Sequence, residues 1–339
     1  MKTVILDQPG KFTFTDTSLE NTESGQDALV KVHRIGICGT DMHAFRGKQP
    51  FFTYPRILGH ELGVEVVDVA SDNPYGIKVG DKCSIEPYLY CGECSACRQG
   101  NTNCCVHLKV LGVHTDGGMR EYIKVPVKNL HPSQVLSLEQ LALVETLGIG
   151  AHAVQRAHIQ PDVTVLVIGA GPIGLAVITF VKLTGAKLLV MDLNENRLAF
   201  CREQMGVQHT IAGSNTAKES ISAVLDGELP HIVFDATGNP VSMMNAFALT
   251  GHAGKLIFVG LFQGDFSFHD PDFHRKELSM LASRNAQSAD FKRIINYMEK
   301  GDIDTTPWIT HRASLEEMIE VFPFWLLPES RVVKAMVHV

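Results

Sequence analysis

Residues 165–177 read VLVIGAGPIGLAV: an apolar run, a glycine-rich turn and a second apolar run. The turn contains Gly169, Gly171 and Gly174 in the pattern G-x-G-x-x-G. A strand before this pattern and a helix after it form the setting in which the pattern binds a dinucleotide. Gly169 would make the tight turn, Gly171 would admit a pyrophosphate at the helix N-terminus, and Gly174 would let helix and strand pack closely. The stretch therefore predicts a dinucleotide-binding βαβ unit.

From about residue 163 the chain alternates short apolar runs with helical patterns. This alternation is typical of βαβ units that build a parallel sheet. The predicted strands are Thr164–Ile168, Leu188–Asp192, His231–Asp235, Lys255–Val259 and Leu278–Leu281. The predicted helices are Pro172–Thr184, Glu195–Met205 and Val241–Thr250. Together they indicate an α/β domain with a doubly wound parallel sheet of the Rossmann type.

The second predicted strand ends at Asp192, 18 residues after Gly174. A carboxylate at this place accepts hydrogen bonds from the ribose hydroxyls of adenosine and repels a 2′-phosphate. It therefore predicts NAD as cofactor in preference to NADP. Arg197 would instead favour NADP, because an arginine nearby can bind the 2′-phosphate. With Asp192 present, we interpret Arg197 as packing on the adenine.

The first 130 residues carry short β-like runs interrupted by Gly and Pro, at Ala28–Ile37, Gly63–Val69, Lys82–Ile85 and Glu121–Val125. They predict a compact, mostly β unit. Between the two parts a helix is predicted over Leu138–Ile159.

Capping-box spacing marks two predicted helix starts. Ser137 with Gln140 opens the central helix, whose middle Gly148 and Gly150 would bend or pack closely. In the tail a helix is predicted over Asp290–Lys300, and a last one begins at Ser314, whose partner is Glu317.

A cluster of cysteines lies in CGECSACRQGNTNCC, residues 91–105. Cys91, Cys94, Cys97 and Cys105 have spacings that suit a tetrahedral zinc ion, and four sulfur ligands leave no open position, so such a site is structural. Cys104 competes for the fourth place, although adjacent residues seldom both point inward. An iron–sulfur cluster and four packed thiols are the alternatives.

A second metal site is indicated by Cys38 in IGICGTDMH and by His60 and Glu61 in LGHELG. One Cys, one His and one carboxylate leave a fourth position open, which is the catalytic arrangement. Taken alone, the cysteine could equally be a core residue, and the histidine could equally be a buried polar residue with its hydrogen bonds satisfied. Glu145 is a further acid in the apolar stretch LALVETLGIG, and a metal, a Lys or an Arg would serve equally well as its partner.

Composition excludes several classes of function. The chain has 339 residues and a net charge of −7, which argues against a nucleic-acid-binding protein. No run of 18 apolar residues occurs, so no membrane span is expected. The N-terminus MKTVILDQPG lacks the features of a secretory signal, so we expect a cytoplasmic location, where cysteines are thiols or metal ligands.

The motifs GICGTD, GHE, the four-cysteine lobe, GAGPIGL, FDATG and VGLF occur in this order. Jointly they resemble the zinc-dependent medium-chain dehydrogenase/reductase (alcohol dehydrogenase) family over essentially the whole chain. Within it the chain is similar to sorbitol, threonine and sugar-acid dehydrogenases. The stretches QPFFTYPRILGHE and GLFQGDFSFHDPDFHRKE resemble the L-galactonate 5-dehydrogenase type most.

The resemblance implies a two-domain α/β architecture. A GroES-like, β-rich catalytic domain would comprise residues 1–149 and 287–339, and a Rossmann NAD-binding domain would comprise residues 150–286. It also implies two zinc ions, one catalytic and one structural, and a homodimer or homotetramer.

The resemblance further assigns roles to residues of the second metal site. Cys38 and His60 would bind the catalytic zinc, with Glu61 or Glu145 as the acidic ligand. The remaining roles concern orientation and proton transfer: Asp41 would orient His60, Thr40 would pass on the proton of the substrate, and His43 would carry it towards solvent.

Residues at strand ends and in the glycine-rich turn would line the cofactor. The candidates are Gly169, Gly171, Pro172, Ile173, Gly174, Asp192, Arg197, Thr237, Gly238, Val259, Gly260, Leu261, Ser283, Arg284 and Asn285.

The implied activity is reversible, zinc-dependent oxidation by NAD of a secondary alcohol of a sugar acid to a ketone. A polyol such as sorbitol or xylitol, or L-threonine, is the alternative substrate. Threonine dehydrogenases that resemble the chain have a histidine where this chain has Tyr88, which argues against L-threonine. Many relatives also have Pro where this chain has Thr146.

A sugar acid needs a cation for its carboxylate, and Arg46, Lys48, Arg56 and Arg284 are the candidates. Two other functions remain open at this point. One is a zinc-independent quinone or enone reductase of the same fold, which would lack the Cys38–His60 pair. The other is a zinc-ribbon module that contacts nucleic acid and has no enzymatic activity, which the net charge of −7 argues against.

Overall fold

The structure is a computed structural model that describes residues 1–19, 26–49 and 52–339. Its chain divides into two compact units. The first unit comprises Met1–Thr146 and Ala286–Val339, and the second comprises Leu147–Asn285. The expected domain limits, after residues 149 and 286, lie close to these divisions.

The strands of the described residues are, in chain order, β1 (Lys2–Gln8), β2 (Lys11–Asp16), β3 (Asp27–Gly36), β4 (Glu61–Asp68), β5 (Lys82–Ile85), β6 (Tyr88–Leu89), β7 (Lys109–Val110), β8 (Tyr122–Pro126), β9 (Leu130–Pro132), β10 (Thr164–Ile168), β11 (Lys187–Asp192), β12 (His209–Ala212), β13 (Ile232–Asp235), β14 (Lys255–Phe258), β15 (Ser279–Ala282), β16 (Ile309–Ser314) and β17 (Lys334–His338).

The α-helices of the same residues are α1 (Gly39–Phe45), α2 (Ser95–Arg98), α3 (Leu138–Ala142), α4 (Val144–Ala157), α5 (Pro172–Lys182), α6 (Glu195–Glu203), α7 (Ala217–Val224), α8 (Pro240–Leu249), α9 (Asp270–Arg275), α10 (Ser288–Glu299) and α11 (Met318–Trp325). Within the part of the chain that the structure describes, none of them has both the length and the apolar character that a membrane span requires.

The second unit is built on a parallel sheet of six strands in the order β12-β11-β10-β13-β14-β15. The chain runs outward from β10 to one edge and then returns to β13 and runs to the other edge. This reversal beside β10 is the switch point at which open α/β sheets bind ligands. The predicted doubly wound α/β fold is confirmed. The strand β12 was not predicted, because four residues give too short an apolar pattern, and helix α7 was not predicted either.

The first unit is built on a mostly antiparallel sheet of seven strands, ordered β16-β17-β3-β4-β5-β9, with β8 on β3. Side chains that alternate along β3 are fully buried, among them Val30 and Val32. The β-rich character of this part was predicted. The pairing of β17 with β3, which brings the C-terminal strand to the N-terminal part, was implied only by the family resemblance.

The predicted helix Leu138–Ile159 is wrong as a single element. Ser137 and Gln140 do form the expected capping box, but α3 ends after one short turn, and α4 begins at Val144. The interruption lies at Leu143 and not at the glycines. Gly150 lies inside α4, where a Cβ would come within 2.4 Å of the backbone of α5, so its role is close helix packing.

The predicted helix start at Ser314 is also wrong. Ser314 ends β16, and the reciprocal hydrogen bonds with Glu317 close a turn: Ser314 N donates to Oε2 of Glu317 at 2.9 Å, and Glu317 N donates to Ser314 Oγ at 3.2 Å. The helix α11 begins at Met318, four residues after the predicted start and directly after Glu317. The same hydrogen-bond pattern therefore served a strand-to-helix turn.

Replacement of Gly174 by alanine is expected to destabilise the second unit. A Cβ there would lie 1.7 Å from the carbonyl oxygen of Gly169, so strand and helix would have to separate. We expect a loss of about 1–3 kcal/mol of unfolding free energy, measured by urea denaturation. Gly171→Ala is the matched control, because its nearest neighbour would be 3.9 Å away. Equal stability of the two variants would contradict the packing role of Gly174.

Candidate metal and cofactor sites

The four-cysteine lobe is the segment between β6 and β7. The sulfur atoms of Cys91, Cys94, Cys97 and Cys105 all lie within 4.8 Å of one another. Cys104, the competing candidate, is exposed and lies outside this group. The structure therefore brings together the four cysteines that the spacing indicated.

The ionisation of these cysteines indicates that the lobe suits a cation. Backbone N–H groups at Cys97 and Val106 lower the pKa of Cys94 to about 6, and N–H groups at Glu93 and Cys94 lower the pKa of Cys91. Burial and the neighbouring sulfurs raise the pKa of Cys97 to about 12. Four sulfurs this close do not all ionise without a compensating positive charge, and a tetrahedral zinc ion supplies it.

The second metal site is assembled by the pairing of β3 with β4. These strands are antiparallel, with Gly36 opposite Glu61. Cys38 follows the end of β3 as the residue before α1, and His60 immediately precedes β4. The ligand atoms of Cys38, His60 and Glu61 therefore lie within 4.8 Å of one another. A thiolate, an imidazole and a carboxylate are zinc ligands, and three of them leave a position open.

Asp41 lies behind this group and is fully buried. Its Oδ2 accepts a hydrogen bond from the backbone N of Cys38 at 2.9 Å, and its Oδ1 is 3.8 Å from Nδ1 of His60. Burial raises the pKa of Asp41, although the charge of His60 opposes this shift. Burial alone would lower the pKa of His60, but Cys38 and Asp41 raise it well above its usual value. Asp41 therefore lies next to the imidazole of His60, but 3.8 Å is too long for a hydrogen bond, so its orienting role stays a prediction.

Lys334 on β17 is a site residue that the sequence did not reveal. Its Nζ donates to both carboxylate oxygens of Glu61, at 2.7 and 2.8 Å, and both side chains are buried. Burial disfavours the ammonium ion, yet Glu61 and Cys38 outweigh this effect and raise the pKa of Lys334. The available signal was a single lysine inside the apolar tail VVKAMVHV.

A glycine makes room for this ion pair, and two oxygen atoms accept further hydrogen bonds from its ammonium group. Gly36 has no side chain, and a Cβ there would lie 2.1 Å from Oε2 of Glu61. The hydroxyl of Thr146 accepts a hydrogen bond from Lys334 Nζ at 3.3 Å, and the carbonyl oxygen of Ile37 accepts another at 3.3 Å. Thr146, the departure from the proline of many relatives, therefore helps to solvate the buried ammonium group.

Glu145 lies near the group at the start of α4 but is not one of the three tightly clustered ligands. Its Oε1 accepts a hydrogen bond from the Tyr88 hydroxyl at 2.5 Å. The next residue, Thr146, accepts a hydrogen bond from the same Lys334 ammonium group that binds Glu61, which places Glu145 near the group. Burial raises the pKa of Glu145, and the charge of His60 opposes this shift. Of the two acids left open by the sequence, Glu61 is in the group and Glu145 is beside it.

Thr40 and His43 lie three residues apart on α1, so they share one face of the helix. Thr40 is half-buried and His43 is exposed. Partial burial and the charges of Arg46 and Lys48 lower the pKa of His43. Its imidazole is therefore neutral at neutral pH and able to accept a proton.

The candidate cations differ in their surroundings. Arg56 is engaged: its guanidinium lies 3.1 Å from Asp116 Oδ1 and donates to Thr53 Oγ1 at 2.8 Å. Arg46 donates to the carbonyl oxygen of Leu326 at 2.6 Å and remains exposed. The partner of Arg56 neutralises it, so the expectation that it binds a carboxylate is not favoured. Arg284 is exposed on the second unit.

The glycine-rich turn of the second unit has the geometry that the motif predicts. Gly169 follows β10 with φ of 95°, a value that favours glycine, and Gly171 precedes α5 in an extended conformation. Pro172 and Ile173 form the first turn of α5. The free N–H groups of such a helix start are an anion-binding site, which a pyrophosphate fits.

Asp192 ends β11 and contacts this turn directly. Its Oδ2 accepts a hydrogen bond from the backbone N of Ala170 at 2.6 Å, and its Oδ1 accepts one from Asn194 N at 2.8 Å. Arg197 approaches Oδ2 at 3.7 Å. The carboxylate therefore ties β11 to the turn, and it occupies the position at which this motif has its ribose-binding acid.

The remaining cofactor candidates follow the carboxyl ends of the parallel strands β13, β14 and β15: Thr237, Gly238, Val259, Gly260, Leu261, Ser283, Arg284 and Asn285. Asp235, buried at the end of β13, shapes the first of these loops. It accepts hydrogen bonds from Thr237 N at 2.9 Å and Thr237 Oγ1 at 2.6 Å, and from Ser242 Oγ at 2.5 Å. Ligands bind at this edge of open α/β sheets.

Two family models match the chain. Residues 24–135 match the alcohol dehydrogenase GroES-like domain, and residues 172–300 match the zinc-binding dehydrogenase domain.

The chain is similar to curated proteins over nearly its full length. It is 38% identical to L-galactonate-5-dehydrogenase of Escherichia coli (strain K12), over 99% of this chain and 98% of that protein. It is 31% identical to a sorbitol dehydrogenase of Bacillus subtilis (strain 168), over 92% of this chain and 90% of that protein.

Solved structures share the whole fold. An alcohol dehydrogenase, RspB, from Escherichia coli CFT073, complexed with NADH, superposes with a TM-score of 0.92 at 29% identity, covering 100% of this chain and 99% of that chain. A zinc-binding dehydrogenase from Sinorhizobium meliloti 1021, bound to NADP, superposes with a TM-score of 0.89 at 27% identity, covering 100% and 99%.

Replacement of Lys334 by methionine is expected to destabilise the first unit strongly. The charge of Glu61 would remain buried without a partner, which costs about 3–5 kcal/mol. Urea denaturation at neutral pH measures the loss. The double variant Lys334→Met/Glu61→Gln removes both charges and should recover a large part of it. A single variant as stable as the wild type would contradict the role of the ion pair.

Proposed function

Because this chain belongs to the zinc-dependent alcohol dehydrogenase family, and is thus an oxidoreductase acting on CH–OH groups, we propose that it oxidises a secondary alcohol of a sugar acid to a ketone with NAD. The balanced reaction takes a hydride from the carbinol carbon to NAD⁺ and releases the hydroxyl proton, giving the ketone, NADH and H⁺. The observation that carries the proposal is the group formed by Cys38, His60 and Glu61.

The donor set of this group fits a catalytic zinc ion. Sulfur, nitrogen and oxygen ligands from three residues leave one position for a substrate oxygen. Zinc held there supplies Lewis-acid polarisation of the hydroxyl, which favours loss of its proton near neutral pH. Glu61, and Glu145 beside it, are the candidate acidic ligands. Asp41, whose Oδ1 lies 3.8 Å from Nδ1 of His60, is the candidate for orienting this ligand.

Two residues of α1 are the candidates for proton transfer. The hydroxyl of Thr40 both accepts and donates a hydrogen bond, so it can take the proton of the substrate and pass one on. The neutral imidazole of His43, on the same helix face, accepts it and exchanges it with solvent.

The cofactor is bound by the second unit. The turn at Gly169 and the start of α5 suit the pyrophosphate, and Asp192 suits the adenosine ribose and disfavours a 2′-phosphate. NAD, once bound, accepts the hydride, and this chemistry belongs to the cofactor.

The substrate class is supported by similarity and by charge. The relative with 38% identity is an L-galactonate-5-dehydrogenase, and its substrate carries a carboxylate. Arg46 directly follows α1, and the backbone N of Lys48 donates to the carbonyl oxygen of His43 at 2.8 Å, so both residues bring positive charge to this end of α1. A polyol is the second candidate, favoured by the similarity to a sorbitol dehydrogenase.

We also propose that the protein is a homodimer or homotetramer. Light scattering tests this by measuring the molar mass in solution.

The substrate is identified by following NADH absorbance with L-galactonate, L-gulonate, sorbitol, xylitol and L-threonine. We expect the sugar acids to give the highest kcat/KM. A preference for sorbitol or xylitol would favour the polyol function, and activity on quinones or enones alone would exclude the proposed alcohol oxidation.

Replacement of Cys38 by alanine tests the metal site on the best substrate. Loss of Lewis-acid stabilisation worth several kcal/mol should lower kcat/KM by about 10³-fold or more. The zinc content should fall from about two ions to about one per chain. Cys104→Ser, which alters an exposed cysteine outside both groups, is the matched control. Unchanged turnover of Cys38→Ala would refute the role of zinc.

Replacement of Asp192 by serine should shift the preference from NAD towards NADP. Removing the charge ends its repulsion of the 2′-phosphate and also loses a ribose hydrogen bond, so the kcat/KM ratio of NADP to NAD should rise by roughly tenfold or more. Asp162→Ser, at an exposed acid of the same unit, is the control. An unchanged ratio would contradict the role of Asp192.

A further inference from the structure

Tyr88 is a buried residue to which the proposed chemistry assigns no role. Its side chain is 2% exposed, and its hydroxyl donates to Glu145 Oε1 at 2.5 Å. Its ring packs edge-on against Phe291, with centroids 6.4 Å apart and planes at 78°. Phenylalanine would make the same ring contact. The hydroxyl is therefore the part of this side chain that needs an explanation.

The backbone of Tyr88 belongs to the stem of the cysteine lobe. β6 pairs antiparallel with β7, with Tyr88 opposite Val110, and Leu111 N donates to the carbonyl oxygen of Pro87 at 3.0 Å. The lobe cysteines all lie in the segment that this two-stranded ladder closes. The fold of the lobe thus fixes the backbone position from which the Tyr88 side chain projects.

A buried asparagine clamps the same segment from the other side. The side-chain amide of Asn129, 1% exposed, donates to the carbonyl oxygens of Glu86 at 2.7 Å and of Tyr88 at 3.1 Å. The backbone N of Glu86 donates in return to the carbonyl oxygen of Asn129 at 2.8 Å. Three hydrogen bonds therefore hold the backbone on both sides of Pro87.

The start of α10 ties the lobe to this segment. Gln287 Nε2 donates to Asn103 Oδ1 of the lobe at 3.0 Å, and the Ser288 hydroxyl donates to the carboxylate of Glu86. One turn later Phe291 provides the surface against which the Tyr88 ring packs. The phenol is thus held by its backbone and by its ring, and its hydroxyl has a defined position.

The two acids near Cys38 and His60 have partners of different charge. Glu61 is neutralised by an ammonium group at both oxygens, whereas Glu145 is held at one oxygen by a neutral donor. A neutral donor orients a carboxylate and leaves its negative charge available to a cation. The pairing with Tyr88 therefore orients Glu145 without placing a positive charge on it.

We propose that Tyr88 is a positioning residue that holds the Glu145 carboxylate beside Cys38 and His60 by occupying its Oε1. The inference rests on the proposed function, since it requires a metal ion bound by Cys38 and His60. The segment between β5 and the lobe then serves both metal groups of the first unit: it closes the lobe and delivers the hydroxyl that orients Glu145.

The test uses the full-length protein with Co²⁺ exchanged into the three-ligand site, followed by visible absorption and by competition with a chelator. Tyr88→Phe should shift the Co²⁺ absorption bands and weaken Co²⁺ binding by about 10-fold or more. Tyr90→Phe is the matched control, because this half-buried ring contacts Lys128, whose Nζ lies 3.9 Å from its centroid. The control should leave bands and affinity unchanged.

A double-variant comparison separates positioning from packing. If Tyr88 acts through Glu145, adding Tyr88→Phe to Glu145→Gln should change Co²⁺ affinity by less than about twofold. Full additivity of the two substitutions would overturn the proposal, as would wild-type spectra and affinity in Tyr88→Phe.

A second variant covers the case in which Tyr88→Phe does not fold. Tyr88→His retains an N–H donor, so its Co²⁺ affinity should remain within about threefold of the wild type if donation to Glu145 is what matters. A loss as large as about 10-fold in this folded variant would contradict the proposal.

Failure of the two proposals is distinguishable. If the Cys38→Ala variant contains as much metal as the wild-type protein, the proposed function is refuted. If the wild-type protein binds Co²⁺ through Cys38 and Tyr88→Phe has the same Co²⁺ spectrum and affinity, only the inference on Tyr88 is overturned.

Discussion

A buried ion pair between Lys334 and Glu61 joins the three strands that build the candidate catalytic metal group. Lys334 comes from β17 and Glu61 from β4, and β3 lies between them, where Gly36 leaves space for the carboxylate. Burying two charges has a large desolvation cost, which is offset only when the geometry is good and the remaining polar atoms are satisfied. Ile37 and Thr146 satisfy the ammonium group here. The pair therefore specifies one register of strands.

That register also determines the chemistry of the group. With Gly36 opposite Glu61, the segment after β3 places Cys38 beside His60. A slip of one residue would turn alternate side chains to the opposite face and separate the ligands. Glu61 is consequently both part of the ion pair and a candidate ligand, whereas the hydrogen-bond partner of Glu145, Tyr88, is neutral. The charged groups around the candidate metal ligands thus come from several distant segments.

Much of the fold and of the candidate site was predictable from local patterns. The glycine-rich turn, with a strand before it and a helix after it, predicted the second unit, and the cysteine spacing indicated the lobe. Patterns of this kind act over a few residues, so they survive without knowledge of the tertiary contacts. One prediction failed because a local pattern has two uses: the capping box at Ser314 closes a turn. Another failed because the break of the central helix at Leu143 coincides with neither glycine that the sequence marked as an interruption.

The sequence by itself determined the β-rich unit, the parallel-sheet unit and the candidate metal and ribose ligands, because each depends on residue type and short spacing. Only the tertiary structure decided which groups accompany the ligands. Lys334 lies 273 residues from Glu61, and Tyr88 lies 57 residues from Glu145. No periodicity connects such positions, since their contact follows from the order of strands in the sheet and from the packing of α10 against the lobe.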